Sequence, residues 1–188
     1  APEKHVTVML HFETGNTLYF QDTRKFGRME YVNNPMEKLA HLGPEPLADD
    51  FTPEVFYKML RSKNRQIKPL LLDQTFLAGL GNIYVDEALF QAGIQPLSIA
   101  ASIPKRQSMS LHAAIQSILS ASIKAQGTTI LNFSHGENES GTYQAALQVY
   151  GRKDEPCLVC ETPITKITVG QRGTHFCSSC QSLFKAKR

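Results

Sequence analysis

Apolar and polar positions alternate at the front of the chain. Val6, Val8 and Leu10 share one side, Gly15-Asn16 supplies a turn, and Thr17-Leu18-Tyr19-Phe20 runs back, which is the period-two pattern of a hairpin. Met29-Glu30-Tyr31 gives a third short strand-like run. Three strands close no sheet, so this opening reads as the tail of a β-domain whose beginning is missing, in keeping with a start that has no methionine. After Gly43-Pro44-Glu45-Pro46 the period becomes helical. Thr52 is placed to cap a helix with Pro53 at its first position and an apolar stripe through Val55, Phe56 and Leu60. Leu70, Leu71, Leu72 and Leu77 predict a second helix, and Ile83 to Ala92 a third that ends at Gly93. Leu111, Ile115, Ile118, Leu119 and Ile123 predict a long fourth that stops near Gly127. Ser134 to Gly141 reads as a mobile loop, and Leu147 to Tyr150 as a short strand leading into a cysteine-bearing tail.

Composition narrows the class without fixing it. With 41% hydrophobic residues in 188, the chain can fill packed cores. Twenty Lys and Arg against 17 Asp and Glu give a net charge of +3, compatible with a polyanionic partner, so local clustering must carry that argument. No run of about 18 apolar residues occurs, and Ala1-Pro2-Glu3-Lys4-His5 holds no hydrophobic signal core. Neither a membrane span nor secretion is expected, and the expected setting is cytoplasmic.

All 4 cysteines fall in the tail. Cys157-x2-Cys160 and Cys177-x2-Cys180, with 16 residues between the pairs, fit two knuckles that bring four thiolates around one tetrahedral Zn2+. Four thiolates leave no position for an activated water, so the metal is expected to be structural. Redox dithiols or disulfides are the competing reading, without a thioredoxin-like strand and helix around either pair. From Gly151 onward there are seven basic and three acidic residues. The module therefore stays positive even after a metal with four thiolates adds a charge of about −2. Lys185, Lys187 and Arg188 serve equally well as solubilising charges. Arg172, in Gln171-Arg172-Gly173, falls at the expected hairpin tip, where a guanidinium can project.

Three further places carry candidate chemistry. Arg61-Ser62-Lys63-Asn64-Arg65-Gln66-Ile67-Lys68 holds four cations and no acid, a pattern shared by phosphate contacts and ordinary helix ends. Gly79-Leu80-Gly81-Asn82 feeds directly into a helix, so Asn82 is expected to cap it with free N–H groups facing an anion. A routine cap without a ligand is the plainer alternative. Asp22-Thr23-Arg24-Lys25-Phe26-Gly27-Arg28 combines cations with an aromatic suited to wedge into a base stack, or to join a core.

In this order and spacing, Asp22-x-Arg24-Lys25-Phe26-Gly27, Leu42-Gly43-Pro44-Glu45-Pro46-Leu47, Leu71-Leu72-Asp73-Gln74, Gly79-Leu80-Gly81-Asn82-Ile83-Tyr84-Val85-Asp86-Glu87, Val149-Tyr150-Gly151-Arg152 and Arg172-Gly173-Thr174-His175-Phe176-Cys177 resemble bacterial formamidopyrimidine-DNA glycosylase. The related endonuclease VIII branch shares the fold but is less similar at the Asn-Ile-Tyr-Val-Asp-Glu and Arg-Gly-Thr-His runs. The resemblance implies an α+β, multidomain chain. Its expected parts are the remnant of an N-terminal β-sandwich (1–44), a helix-two-turn-helix DNA-binding domain (45–150) and a C-terminal zinc ribbon (151–188).

The resemblance also implies a base-excision repair glycosylase and abasic-site lyase acting on oxidised purines such as 8-oxoguanine and formamidopyrimidines in duplex DNA. The implied partner is double-stranded DNA bearing oxidised or abasic sites, and the implied enzyme is a monomer associated with the bacterial nucleoid. By resemblance His5, Arg24 and Lys63 match DNA contacts, and Lys68 and Asn82 match phosphate ligands beside the lesion. Phe26 matches an intercalating wedge and Tyr150 a lesser backbone contact. Arg172 matches both a phosphate grip and the catalytic residue of the δ-elimination step. Residues 128–143 match the loop over the extruded base, with Leu131 where many relatives carry Arg or Lys.

The family's proline nucleophile, its adjacent glutamate and its β-domain lysine find no counterpart. Pro2 matches a loop before a strand instead, so the 188 residues alone are expected to be inactive. The alternatives are a non-catalytic zinc-ribbon DNA-binding protein and, further off, a thiol redox protein.

Overall fold

The computed structural model describes residues 4–128 and 141–186. Leu131, most of the expected lesion loop, Pro2, Lys187 and Arg188 lie outside the described residues. The chain forms two units, residues 1–40 and 41–188.

In the first unit, β1 (Val6–His11) and β2 (Thr17–Gln21) pair antiparallel, with Met9 opposite Tyr19 and Leu10 opposite Leu18. The expected third strand at 29–31 does not form: Tyr31 is 96% exposed and the stretch has no ladder partner. A short helix, α1 (Pro35–Leu39), follows instead. Asn34 Oδ1 accepts the Met36 N–H at 3.1 Å and Asn34 Nδ2 donates to Glu37 at 2.9 Å, a local exchange that the Asn-Pro-x-Glu sequence specifies.

The second unit begins with α2 (Pro53–Arg61), started as expected by Thr52, whose hydroxyl accepts the Val55 N–H, and by Pro53. Phe56 and Leu60 enter the core, while Val55 of the predicted stripe stays exposed. The second predicted helix is cut short. Only α3 (Ile67–Leu71) is helical, because Asp73 turns the chain by accepting from the Thr75 N–H at 3.1 Å and the Thr75 hydroxyl at 2.7 Å. Leu77 reaches the core from beyond that turn.

Helix α4 (Asn82–Gln91) ends at Gly93, whose φ of 66° suits a residue without a Cβ. Helix α5 (Lys105–Lys124) packs against α2 and α4. Leu111, Ile115, Ile118 and Leu119 are buried, whereas Ile123 in the last turn faces solvent, having rotated off the inner face. Leu147 to Tyr150 forms a turn after a 3-10 segment rather than the expected strand.

Strands β3 (Thr165–Val169) and β4 (Arg172–Phe176) make the terminal hairpin. Its tip is Gly170-Gln171, both at positive φ, so Arg172 is the first residue of β4 opposite Val169 rather than the tip itself. Two cores result. Among the described residues, twenty-two fill the helical one, and Phe90, Val149, Cys157, Ile164 and Cys177 form the smaller one beside the cysteine quartet. The module is tied down behind the hairpin: the Cys177 N–H donates to Gln181 Oε1, Gln181 Nε2 donates to the Ile94 carbonyl and the Ser182 N–H donates to the Gly93 carbonyl. No helix of the described residues is long and apolar enough to cross a membrane.

Candidate nucleic-acid interface and metal centre

The four cysteines converge as their spacing requires. Their Sγ atoms all lie within 4.8 Å of one another, with Cys157–Cys180 at 3.9 Å, Cys160–Cys177 at 3.5 Å and Cys160–Cys180 at 3.3 Å, and none is in a disulfide. Zn–S bonds of about 2.3 Å in a tetrahedron put sulfurs about 3.8 Å apart, so the quartet fits a zinc ion. Hydrogen bonds with Thr162 lower the pKa of the Cys160 thiol to about 6, while burial pushes that of Cys180 up.

The metal module presents β4 to the start of α4. Gly81, not Asn82, is the N-cap, and no side chain caps this helix. Asn82 is its first residue: Nδ2 donates to the Gly173 carbonyl at 3.0 Å, and the buried Oδ1 has no partner among the described residues. Lys68, on α3, donates from Nζ to the same Gly173 carbonyl at 3.1 Å and to Asp86 Oδ1 at 2.6 Å. Both side chains of this ion pair are 0% exposed. Burial lowers the proton affinity of Lys68, the Asp86 charge restores part of it, and the nearby Arg172 guanidinium lowers it again. Arg172 itself is exposed.

Two acids of α4 hold this arrangement from behind. Asp86 Oδ2 accepts the His175 N–H at 2.8 Å. Glu87 accepts three consecutive backbone N–H groups, from Gln148, Val149 and Tyr150, at 2.8 to 2.9 Å. These bonds set the turn that brings the Tyr150 ring edge-on to His175, with centroids 5.0 Å apart. Asp86, Glu87 and His175 were not singled out from the sequence. The available signal was a pair of acids inside a helix whose other residues from Val85 to Phe90 are all apolar.

The remaining predicted residues fall in two places. In the second unit Lys63 is exposed and lines a cleft of about 260 Å³ with Arg65, Asp73 and Thr75. Of its basic neighbours, Arg61 donates to the Ala101 carbonyl and Arg65 pairs with Asp73 at 3.0 Å. In the first unit the Asp22 carboxylate accepts the Arg24 N–H at 3.0 Å and the Gly27 N–H at 2.5 Å, and these bonds, that to Gly27 foremost, hold its carboxyl below the ordinary value. The loop so formed carries Phe26 outward, 76% exposed, with the Arg24 guanidinium 5.1 Å from its ring centre. Phe26 therefore joins no core of its unit. His5 is exposed at the start of the same unit, at φ 74°.

Residues 42–134 match the family described as "Formamidopyrimidine-DNA glycosylase H2TH domain", and 154–183 match "Zinc finger found in FPG and IleRS". The formamidopyrimidine-DNA glycosylase of Lactobacillus helveticus is 44% identical over 187 residues, covering 97% of this chain and 68% of its own length. The chain belongs to the formamidopyrimidine-DNA glycosylase family. The enzyme of that name from Bacillus licheniformis is 46% identical over 95% of the chain and 66% of its own length, so the chain spans about two thirds of such relatives. Among solved structures, the MutM (Fpg) protein of Thermus thermophilus superposes with a TM-score of 0.86 at 37% identity, over 96% of this chain and 70% of its own. A Lactococcus lactis Fpg mutant in complex with Fapy-dG-containing DNA gives 0.88 at 39%, over 96% and 68%. Membership carries with it the mixed helix and strand architecture and the structural zinc of the family, which sets aside the reading of the cysteines as redox dithiols.

Proposed function

We propose that these 188 residues are the DNA-gripping part of a base-excision repair glycosylase that removes oxidised purines, 8-oxoguanine and formamidopyrimidines, from duplex DNA and then cleaves the abasic site as a lyase. The observation that carries this reading is the meeting of three features at Gly173. An exposed Arg172 adjoins it, Asn82 holds its carbonyl from the uncapped start of a ten-residue helix, and a four-cysteine knuckle supports the strand. A guanidinium beside helix N–H groups suits a phosphate oxygen.

A glycosylase must also extrude its base, which requires cations on both sides of the lesion and a wedge in the vacated stack. Arg24, His5, Lys63 and Tyr150 are the proposed further backbone contacts, and the exposed Phe26 the wedge. Arg172 additionally serves the δ-elimination in the whole enzyme, whereas the 188 residues alone bind DNA without excising the base. The partner is damaged double-stranded DNA of the bacterial nucleoid, bound by a monomer. The Lactococcus lactis relative crystallised with Fapy-dG-containing DNA supports this substrate class.

The test is Arg172→Ala measured by fluorescence anisotropy on a duplex with an abasic-site analogue. The substitution is expected to weaken binding about tenfold, and to lower the slope of log K against log salt by about 0.9, because one phosphate contact is lost. Zinc content and thermal stability should not change. Unaltered affinity and slope would refute the grip.

A further inference from the structure

Lys68 resembles a phosphate ligand in sequence, but its surroundings give it another task. It is fully buried, its charge is met by Asp86 at 2.6 Å, and its second bond goes to the Gly173 carbonyl. Asn82 reaches the same carbonyl oxygen, so donors from α3 and α4 converge on one atom of β4, next to Arg172. The other Asp86 oxygen takes the His175 N–H two residues further along the same strand.

A cation that binds DNA gains from releasing counterions, which requires its charge to face water beforehand. The Lys68 charge is cancelled inside the protein. Moving it to a phosphate would leave Asp86 buried and unpaired, the unfavourable half of such an exchange.

We propose that Lys68 and Asp86 are positioning residues: the buried pair fixes the Gly173 carbonyl and the His175 N–H, and through them the part of β4 that presents Arg172, while Lys68 itself touches no phosphate. The inference rests on the reading of Arg172 as a phosphate contact.

The experiment is the salt dependence of binding of the 188-residue chain to the abasic-analogue duplex, for the wild type, Arg172→Ala, the neutral pair Lys68→Met with Asp86→Asn, and all three changes together. The asparagine keeps an acceptor for the His175 N–H. The neutral pair is expected to weaken binding several-fold, to lower the slope by no more than Arg172→Ala does, and to change neither affinity nor slope further once Arg172 is alanine. A slope reduced by a further 0.9 or so in the Arg172→Ala background would make Lys68 a phosphate ligand and overturn the proposal. An equal loss with and without Arg172 would reduce the pair to a purely structural one and overturn it too. If Arg172→Ala alone left the slope unchanged, the phosphate-grip reading itself would fail, a distinguishable result.

Amine acylation followed by mass spectrometry gives an independent check on the unaltered chain. Exposed Lys63 should be modified, and Lys68 should resist reagent equally with and without DNA. Modification of Lys68 in the free protein that DNA suppresses would contradict the proposal.

Discussion

Stripping the metal from the cysteine quartet is expected to unfold residues 154–183 and leave the helical core standing. Among the described residues of 154–183, five apolar side chains are buried, Cys157, Ile164, Val169, Phe176 and Cys177, two of them cysteines, which is far too small a core to offset the entropy of ordering about 30 residues. A structural zinc contributes on the order of 10 kcal/mol to such a module, so the folded hairpin depends on it. The helical core has 22 buried residues and none of the cysteines. A thiol-modifying reagent with a chelator should release one zinc per chain, collapse the amide NMR signals of β3 and β4, and preserve those of α2 and α5. DNA affinity should fall more than with Arg172→Ala, since Arg172 and the Gly173 carbonyl lose their places together. Retention of dispersed signals from β4 after zinc release would show that the module folds without metal.

Glu87→Ala is expected to be the most destabilising single substitution in α4. It removes the acceptor of three N–H groups, one from a fully buried residue, where no water can replace it. At about 1–3 kcal/mol for each unsatisfied group, partly relieved by relaxation, the loss is about 4 kcal/mol. That corresponds to a melting temperature lower by about 10 °C for a chain of this size. Glu87→Gln keeps one carbonyl acceptor and brings an N–H2 group against the remaining donors, so about half that loss is expected. Urea denaturation followed by circular dichroism measures both. A loss below about 1 kcal/mol for the alanine would mean that the turn at 148–150 finds other acceptors.

The features legible in the sequence were those encoded locally. The cysteine spacing specified the metal quartet, Thr52-Pro53 started α2, and Gly93 ended α4, because each depends on residues within a few positions. Where local side-chain bonds competed with the apolar period, the pattern misled: Asp73 stopped α3 before Leu77, and the Glu87 carboxylate drew 148–150 into a turn rather than a strand.

The polar network at Gly173 was not legible, because its partners are 91 residues apart for Asn82 and 105 for Lys68. An Asp-Glu pair in a helix ordinarily faces solvent, and a lysine in a basic run ordinarily does too. Here the terminal hairpin meets Lys68 and Asp86, the turn at 148–150 wraps the Glu87 carboxylate, and all three are buried. Phe26 shows the converse, since an aromatic that suited either a core or a wedge is held outward by the Asp22 loop.

Arg172 and the start of α4 are proposed to hold one phosphate beside the damaged nucleotide. This grip is tested by replacing each phosphate around an abasic analogue, singly, with a neutral methylphosphonate and measuring affinity for the wild type and Arg172→Ala. One position is expected where neutralisation weakens the wild type about tenfold and leaves Arg172→Ala unaffected. Equal losses for both proteins at every position would contradict it.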